Sequence, residues 1–529
     1  MYNDKLINLI FPNQKYSYEY YENLYPARKE NKILRFAPSP TGFLHTGSLY
    51  TALINYLFAY QNNGIFYLRI EDTDTKRTVT GSLEALKEQL HYFGIDYNND
   101  EKYGPYLQSL RKDIYNAMII RLLKEGKAYP CFLTEEEIEE IRTNQASKNL
   151  RTGIYKSFAK YRDISNEDAI NKISNGESFV IRLKSEGSFD NFIEVSDELR
   201  GTLKLHENDS DIVILKKDGL PTYHFAHAVD DHFMFTTTVI RGEEWLTSLP
   251  IHYELFKVLG FKLPNYLHLD SIMKLDNGNK RKLSKRKDPE ASVSYLMEMG
   301  FPKESIINYL LTLANSNYEE YLMTNKSNNF KAFKLDVSKM SSSGALFDFD
   351  KLNFISKESI SYMDINYLVD SILSWASKYN NELYSLITSD EIKFKRIINI
   401  GRDAINPRKE FAHFDEILEL IKPFYNEYYN KLELTLDYNQ ALINKVKDSF
   451  LKVSFNDEEA IWLQNIKARA FELGFAKNKK ELNEKNLKYM FSDYMKIIRN
   501  LIFKRDNSPS LYDVLNILGL EEVKRRLEV

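Results

Sequence analysis

Residues 38–47, PSPTGFLHTG, have the residue types in this chain best suited to phosphate chemistry. Their proline, serine and glycine predict a turn, and the apolar spacing that follows predicts a helix from about Thr46. A helix N-terminus carries partial positive charge and free N–H groups, so it suits a phosphate. His45 would add a hydrogen-bond donor there, and Gly47 would let a flat ring approach the backbone. The alternative is a proline-rich turn in which His45 only caps the helix.

A second candidate segment is KLSKR at residues 282–286, which follows a predicted strand from Leu269 to Met273 and a glycine-containing loop. Three cations and a serine on a loop suit a polyphosphate leaving group. The alternative is a solvated basic loop, and a lysine-rich pentamer alone does not decide between the two. The similar run KMSSS at residues 339–343 lacks the second lysine and lies outside the α/β part of the chain, so we discount it.

The sequence lacks several other catalytic signatures. It has no G-x-x-x-x-G-K-[ST], no G-x-G-x-x-G and no H-E-x-x-H, so a P-loop and a standard dinucleotide fold are unsupported. The single cysteine, Cys131, excludes an intrachain disulfide and a four-cysteine zinc site. The 72 Lys and Arg against 75 Asp and Glu give a net charge of −3. This balance neither supports nor excludes nucleic-acid binding, because binding needs only a local basic face.

The apolar patterning predicts a soluble cytosolic protein. No window of the 529 residues approaches the run of ~18 apolar residues that a membrane span needs. The N-terminal stretch is broken by polar residues and has no small-residue cleavage site, so it does not fit a secretory signal. The lone cysteine fits a reducing cytoplasm.

A strand, a helix and a second strand must position the first candidate segment. Residues 33–37 and 65–70 have strand patterns, and helical spacing lies between them from about residue 46 to 60. Strand, helix and strand at this length predict a βαβ unit in a parallel sheet. Ligands bind at the carboxyl ends of the strands in such sheets, which is where residues 38–47 fall.

The rest of the chain divides into three stretches. An irregular one contains a capping box at residues 134–137 and predicted strands at 178–183 and 190–195. Residues 212–215 then predict a buried strand of the returning parallel sheet. After about residue 345 strand signals nearly vanish and amphipathic helices follow. The sequence therefore predicts one α/β domain interrupted by an insertion, then an all-α region.

Together the two candidate segments resemble the paired signature of class I aminoacyl-tRNA synthetases, a HIGH-type motif at residues 45–48 and a KMSKS-type motif at 282–286. Further motifs narrow the resemblance to bacterial glutamyl-tRNA synthetases. In family order they are RFAPSPTG at 35–42, LRIEDTD at 68–74, GPYLQS at 104–109, PTYHFA at 221–226, VDDH at 229–232 and VIRGEEW at 239–245. The resemblance extends from about residue 31 to the C-terminus and leaves the first 30 residues outside it.

The resemblance implies an α/β fold with a Rossmann-type parallel-sheet catalytic domain, an inserted α+β acceptor-binding domain and an all-α C-terminal region. Its expected parts are an N-terminal extension (1–30), the first half of the catalytic domain (31–105), the acceptor-stem-binding insertion (106–220), the second catalytic half (221–275), a stem-contact domain with the KMSKS-type loop (276–345) and an all-helical anticodon-binding region of two subdomains (346–529).

The resemblance also implies the reaction. ATP, with Mg²⁺ on its phosphates, would activate L-glutamate to glutamyl-adenylate, and glutamate would pass to the 3′-terminal adenosine of tRNA-Glu through its 2′-hydroxyl. The implied catalytic residues are His45, Gly47, Lys282 and Lys285. The implied glutamate-binding residues are Arg35, Ala37, Ser39, Glu71, Tyr223, His227 and Arg241. The implied ATP-binding residues are His45, Gly47, Ser48, Glu244, Trp245 and Lys285.

Within this set, Arg35 and Arg241 would pair with the carboxylates of glutamate and Glu71 would hold its ammonium group. An internal ion-pair network is the alternative role for the same three residues.

Arg402 and Arg408 fall near the segment expected to read the anticodon, although either could be plain surface. A monomer without membrane contact is expected.

Other residues in these motifs are assigned to the scaffold. Asp72 and Asp74 are expected to brace their loop, and His224 and His232 to be scaffold histidines. Thr46 stands where the family usually has an aliphatic residue, with little expected consequence because this position packs. Many relatives carry a zinc-binding cysteine cluster in the insertion, but only Cys131 remains here, so no zinc is expected.

Three rival functions fit the sequence less well. Glutaminyl-tRNA synthetases share the catalytic motifs but have a β-barrel anticodon region, which the helical pattern after residue 345 argues against. The tRNA-modifying glutamyl-Q enzymes are shorter than this chain. An RNA-binding protein with a dead site would have lost some of the motif residues. The sequence leaves open whether tRNA-Gln is charged as well, and what residues 1–30 do.

Overall fold

The computed structural model describes residues 1–40, 42–74, 79–284, 286–341, 344–434 and 436–528. Lys285, a predicted catalytic residue, therefore lies outside the described residues. The chain forms two compact units. The first comprises residues 1–295, 307–325 and 329–348, and the second comprises 296–306, 326–328 and 349–529.

The strands all lie before residue 283 in the part of the chain that the structure describes. They are β1 (Ile33–Phe36), β2 (Ile65–Leu68), β3 (Ala128–Cys131), β4 (Val180–Leu183), β5 (Phe192–Asp197), β6 (Gly201–His206), β7 (Val213–Leu215), β8 (Thr238–Gly242), β9 (Asn265–Leu269), β10 (Met273–Asp276) and β11 (Asn279–Lys282).

The helices before residue 325 are α1 (Asp4–Ile10), α2 (Tyr18–Leu24), α3 (Thr46–Gln61), α4 (Ser82–Tyr92), α5 (Lys112–Lys124), α6 (Glu135–Ser147), α7 (Asn166–Ser174), α8 (Tyr223–Phe233), α9 (Leu249–Leu259), α10 (Val293–Met299), α11 (Lys303–Ala314) and α12 (Tyr318–Thr324). Short 3₁₀ turns connect several of them. The capping box predicted before α6 is present, with Thr134 and Glu137 bonding to each other's backbone N–H groups.

A parallel sheet positions the candidate site in the first unit. Strands β1 and β2 pair in parallel around the crossover helix α3, which is the predicted βαβ unit. A second sheet has the strand order β6-β5-β9-β8, with β9 parallel to both β5 and β8. The two sheets adjoin, because the backbone N–H of Thr237, just before β8, donates to the carbonyl of Ile33 in β1 over 2.9 Å. The carboxyl ends of β1, β2, β8 and β9 therefore meet at one edge.

Two predicted strands pair differently from expectation. The strand predicted at residues 212–215 is β7, but it pairs antiparallel with β4, so it does not belong to the returning parallel sheet. The strand predicted at residues 190–195 is β5, which pairs in parallel with β9. The cause is tertiary, since a short apolar run shows that a strand is buried but not which neighbour it pairs with. The segment predicted as the insertion thus supplies strands to the sheet that also holds β8 and β9.

Residues 1–25 pack into the core of the first unit. Ile7, Phe11, Tyr21 and Tyr25 are buried in a cluster with apolar residues of α5, α8 and α9. The backbone N–H of Tyr2 also donates to the carbonyl of Leu123 over 3.2 Å. Burying these side chains removes a large apolar area from water, so the segment contributes to the stability of this unit.

Helices are the regular secondary structure of the second unit, which has no strand among the residues described. After residue 348 its helices are α13 (Phe349–Ser361), α14 (Ile365–Tyr379), α15 (Asn381–Ser389), α16 (Glu391–Ile398), α17 (Ile417–Ile421), α18 (Asn426–Tyr429), α19 (Gln440–Phe450), α20 (Glu459–Glu472), α21 (Lys479–Glu484), α22 (Phe491–Phe503), α23 (Leu511–Leu518) and α24 (Leu520–Glu528). Most of them contribute side chains to one common apolar cluster, and the all-helical character agrees with the prediction for this region. Within the ranges described, the chain has no helix both long and apolar enough to span a membrane.

Candidate active site

A cavity of about 480 Å³ opens at the carboxyl ends of β1, β2 and β8. It brings together both candidate segments, which are more than 230 residues apart in sequence. Of the predicted site residues, those lining it are Arg35, Ala37, Ser39, His45, Gly47, Ser48, Glu71, Tyr223, Arg241, Glu244, Trp245 and Lys282.

His45 forms one wall as the N-cap residue of α3. Its Nδ1 accepts a hydrogen bond from the backbone N–H of Gly47 over 2.9 Å, so the hydrogen of the neutral ring is on Nε2. A Cβ atom at Gly47 would lie 3.3 Å from this Nδ1, so a side chain there would crowd the ring. Thr46 is fully buried and its hydroxyl donates to the carbonyl of Glu290, in agreement with a packing role. The positive end of a helix and a histidine therefore face the cavity together.

Arg35 and Glu71 belong to a buried charge network centred on Asp231 and Arg69. Asp231 Oδ1 accepts from Arg69 Nη1 over 2.6 Å and from Arg35 Nε over 3.3 Å. Arg69 Nη2 donates to Glu71 Oε1 over 3.1 Å. Burial opposes ionisation of Asp231, but Arg69 and Arg35 hold its pKa well below the usual range. The network fixes one cation and one acid at the cavity wall.

Glu71 has an unusual environment for a carboxylate. Only 7% of the residue is exposed. Burial raises the pKa of Glu71 to about 7, against the opposing effect of Arg69 and Arg35. A carboxyl group with this pKa is ready to accept a cationic ligand, since an added positive charge would lower its pKa and complete its ionisation.

Arg241 lies at the end of β8, and its guanidinium is held by two histidines. Its Nε donates to His268 Nε2 and its Nη1 to His252 Nδ1, each over 3.0 Å. Its buried Nη2 has no hydrogen-bond partner among the residues described. Because a buried guanidinium N–H costs free energy when unpaired, this nitrogen is suited to an acceptor that enters the cavity.

The other end of the cavity is aromatic and basic. The rings of Tyr223 and Trp245 lie 4.3 Å apart between centroids. Lys282 Nζ lies 3.5 Å from Glu244 Oε2, and both side chains are more than half exposed. The loop after Lys282 is anchored by Asp288, which accepts from Arg281 and from the backbone N–H of Ser284. This end offers aromatic rings beside an exposed positive charge.

Four of the predicted residues do not line this cavity or are not described. His227 is fully buried behind Tyr223, with the two rings stacked at 5.8 Å, and burial lowers the pKa of His227 to about 3. Lys285 lies outside the described residues. Arg402 and Arg408 both line a small cavity of the second unit, where Arg402 Nη2 donates to the carbonyl of Met363 over 2.6 Å. The anticodon assignment of these two arginines stays a prediction.

The residues assigned to the scaffold have structural partners. Asp72 accepts from the backbone N–H and the hydroxyl of Ser109, which braces the loop after β2. His224 is hydrogen-bonded to His252 over 2.9 Å. His232 stacks on Phe261 at 3.6 Å between ring centroids and contacts Glu22.

Sequence reasoning did not single out four residues that surround the predicted ones. They are Arg69, Asp231, His252 and His268, all buried. Arg69 and Asp231 stand inside motifs quoted above, and His268 is a polar residue inside the apolar run Leu267 to Leu269. A polar residue in a buried strand signals a partner, but the sequence does not say which one.

Among the residues described, no three His, Cys, Asp or Glu side chains are grouped so that they could hold a metal ion. The cavity therefore offers no cage of protein ligands within the described ranges. A Mg²⁺ ion that arrives on the phosphates of a nucleotide needs no such cage, because it binds mainly to phosphate oxygens and water.

Comparison with known proteins agrees with this geometry. Residues 33–354 match a family model described as tRNA synthetases class I (E and Q), catalytic domain. The fold of this part of the chain is thus that of a class I tRNA synthetase catalytic domain. A glutamate–tRNA ligase of Clostridium perfringens strain 13 is 46% identical over 99% of this chain and 100% of its own length. One of Acetivibrio thermocellus is 42% identical over 99% of each chain. This chain belongs to the glutamate–tRNA ligase family.

A solved structure supports the same conclusion for the fold. A glutamate tRNA ligase from Elizabethkingia meningosepticum, in complex with its amino acid, has a TM-score of 0.74 and 28% identity. It covers 94% of this chain and 99% of that one. The sequence matches also correct one expectation. The motifs alone leave residues 1–30 outside the resemblance, but an alignment over 99% of the chain includes most of them.

Proposed function

We propose that this chain activates L-glutamate with ATP and transfers it to the 3′-terminal adenosine of tRNA-Glu. One observation carries the proposal: a single cavity holds two arginines and a glutamate beside a capped helix N-terminus and a lysine-bearing loop. Glutamate has two carboxylates and one ammonium group, and ATP has a polyphosphate chain. The relatives described above are glutamate–tRNA ligases, and none of these findings supports the charging of tRNA-Gln.

Glutamate recognition is assigned to the inner half of the cavity. Arg241 and Arg35 would bind the carboxylates, and Glu71 the ammonium group. Tyr223, Ser39 and Ala37 would complete the lining, with His227 behind Tyr223. Arginine suits this task because its planar fork pairs with a carboxylate through two parallel hydrogen bonds.

ATP binding is assigned to the outer half. The N-terminus of α3, with His45, Gly47 and Ser48, would hold phosphate, and Trp245 and Glu244 would lie near the nucleoside. Lys282 and Lys285 would stabilise the leaving pyrophosphate. Mg²⁺ bound to the phosphates would neutralise part of their charge.

The reaction then proceeds in two displacements. An α-carboxylate oxygen of glutamate forms a bond to the α-phosphorus of ATP, and the bond to the bridging oxygen breaks to release pyrophosphate. A ribose hydroxyl of the tRNA terminus next attacks the acyl carbon, and AMP leaves. The protein contributes positioning and charge stabilisation to both steps.

The same proposal assigns a role to each predicted domain of the chain. Residues 31–105 and 221–275 would form the catalytic domain, 106–220 would hold the acceptor end, and 276–345 would contact the stem. Residues 346–529 would read the anticodon, with Arg402 and Arg408 as candidates, because unstacked bases can be bound singly. We propose that the protein works as a monomer in the cytoplasm.

Pyrophosphate exchange tests the function directly. Purified protein with ATP and labelled pyrophosphate should exchange label when glutamate is present but not with glutamine, assayed with and without tRNA. Charging of tRNA-Glu with labelled glutamate should follow. Exchange with glutamine alone, or tRNA binding without exchange or charging, would contradict the proposal.

The affinity for glutamate should depend on pH through Glu71. Its pKa is raised to about 7, so the carboxylate that holds the ammonium group is present above pH 7 and is lost below it. At pH 6 about a tenth of the sites remain ionised, so the KM for glutamate should be ~10-fold higher than at pH 8. Steady-state exchange across pH 6–8 measures this. Glu71→Gln should weaken binding and abolish the pH dependence; an unchanged profile in this variant would refute the assignment.

Loss of Lys285 should slow the chemistry. If this lysine stabilises the leaving pyrophosphate, Lys285→Ala should lower turnover by roughly 10²–10³-fold, as for loss of a preorganised donor. The affinity for ATP should change far less. Lys287→Ala, two residues along the same loop, is the matched control and should keep wild-type turnover. Wild-type turnover in Lys285→Ala would make the segment a solvated basic loop.

Purified protein should contain no stoichiometric zinc. The lone Cys131 cannot replace a cysteine cluster, so elemental analysis should find no bound zinc and a chelator should not unfold the protein. One zinc ion per chain would show that histidines and carboxylates build a site.

A further inference from the structure

Arg241 differs from the other buried arginines of the site in the charge of its partners. Arg35 and Arg69 are paired with the carboxylates of Asp231 and Glu71. The hydrogen-bond partners of Arg241 in the described part of the chain are the two histidines His268 and His252. These two hydrogen bonds therefore hold the guanidinium in place, but neither histidine supplies a negative charge to pair with it.

The first of these contacts lies within the sheet. Arg241 and His268 are register partners on the parallel strands β8 and β9. A guanidinium can only donate, so His268 Nε2 must accept, and the ring hydrogen must be on Nδ1. That Nδ1 lies 2.8 Å from Asp197 Oδ2, so it donates to this carboxylate. Asp197 is fixed in turn by the backbone N–H groups of Leu199 and Arg200.

The second contact comes from the helices. His252 on α9 accepts from Arg241 Nη1 through its Nδ1, which places its hydrogen on Nε2. That nitrogen donates to Nδ1 of His224 on α8, over 2.9 Å. His252 and His268 are fully buried, and burial lowers the pKa of both, so both are neutral at neutral pH. Protonating either histidine would place a ring N–H opposite an N–H of Arg241, and the hydrogen bond between them would be lost.

We propose that His268 and His252 are positioning residues that aim Nη2 of Arg241 into the cavity and leave its charge uncompensated, so that the site selects glutamate over glutamine. Because two of its nitrogens are already hydrogen-bonded, the Arg241 side chain is restricted to one rotamer before the ligand arrives. The entropy cost of ordering this side chain is therefore not added to the cost of binding. Because both acceptors are neutral, an anionic ligand would be the first counter-ion in direct hydrogen-bond contact with the guanidinium in the described part of the site. The inference rests on the proposed function and deepens it.

Paired substitutions at each histidine test the proposal. His268→Leu and His252→Leu remove the acceptor. His268→Gln places an amide oxygen near the Nε2 position, and His252→Asn places one near Nδ1, so these variants keep an acceptor. The leucine variants should raise the KM for glutamate by ~10- to 100-fold, as expected for loss of a hydrogen bond to a charged group. They should also reduce the ratio of glutamate to glutamine activation, while kcat and the KM for ATP stay near wild type.

Two further measurements separate positioning from general structural damage. The amide variants should largely restore the KM for glutamate. In the Arg241→Ala background, His268→Leu should add little to the KM, because the histidine acts through the arginine. His232→Leu, a histidine of α8 outside the network, is the matched control and should keep wild-type kinetics.

The outcomes distinguish this inference from the proposed function. If the wild type does not activate glutamate, the proposed function fails and the inference with it. If the wild type does and Arg241→Ala loses glutamate affinity, but the leucine variants keep the wild-type KM and selectivity, the positioning role alone is wrong. An equal rise in the KM for ATP and glutamate, or additive effects in the double variant, would also overturn it.

Discussion

Replacing Arg241 with alanine should raise the KM for glutamate by roughly 30- to 5,000-fold, since removing one partner of a buried charge pair costs about 2–5 kcal/mol. Its Nη2 is buried and has no partner within the described ranges, so a substrate carboxylate would be its acceptor. The KM for ATP should change little, because Arg241 lies in the half of the cavity assigned to the amino acid. Steady-state pyrophosphate exchange at varied glutamate and ATP measures both constants.

The same arginine should set the choice of amino acid. Glutamine has nearly the shape of glutamate but no side-chain charge, so it leaves the guanidinium without a counter-ion. Sites built for one polar partner reject an analogue lacking it by about 10⁴-fold, and the wild type should reject glutamine to this degree. Arg241→Gln should lose most of this preference. Arg142→Ala, on the exposed face of α6, is the control and should match wild type. A wild-type KM and preference in Arg241→Ala would make Arg241 a scaffold residue.

Replacing Asp231 with alanine should lower the free energy of unfolding of the first unit by about 3–5 kcal/mol, because it leaves buried charges uncompensated. Its side chain is fully buried and accepts from both Arg69 and Arg35. Among the residues described, Arg69 would keep Glu71 at 3.1 Å and Asp230 at 4.0 Å as carboxylate partners, but Arg35 would lose the carboxylate it contacts. Asp231→Asn keeps an acceptor but not the charge, so it should be destabilised by a smaller amount.

Urea unfolding, followed by a probe in the first unit, measures this change. Glu139→Ala is the control, since its ion pair with Arg142 is largely exposed and contributes little. The midpoint of unfolding should fall clearly for Asp231→Ala and stay at the wild-type value for the control. An unchanged midpoint in Asp231→Ala would mean that the network is hydrated in solution and does not stabilise the fold.

Local signals in the sequence predicted much of this molecule. The turn at residues 38–42 followed by helical spacing predicted the βαβ unit around α3, and the capping box at residues 134–137 predicted the start of α6. Amphipathic spacing after residue 345 predicted the helical second unit. These features depend on neighbours within a few residues, so the sequence alone contains the information. The two motif segments likewise indicated the family, which the comparisons confirmed.

Tertiary structure alone decided which strands pair and what the charged side chains contact. Residues 213–215 pair with β4 and not with the parallel sheet, and four apolar side chains of the N-terminal segment, Ile7, Phe11, Tyr21 and Tyr25, are buried in a cluster with α5. The contact of Arg35 with Asp231 joins residues 196 apart in sequence, and that of Arg241 with His268 joins residues 27 apart. A strand's apolar pattern shows that it is buried, and a buried charge shows that it needs a partner, but neither names that partner. The choice is made by packing between distant segments, which is why the neutral histidines behind Arg241 became visible only in the folded chain.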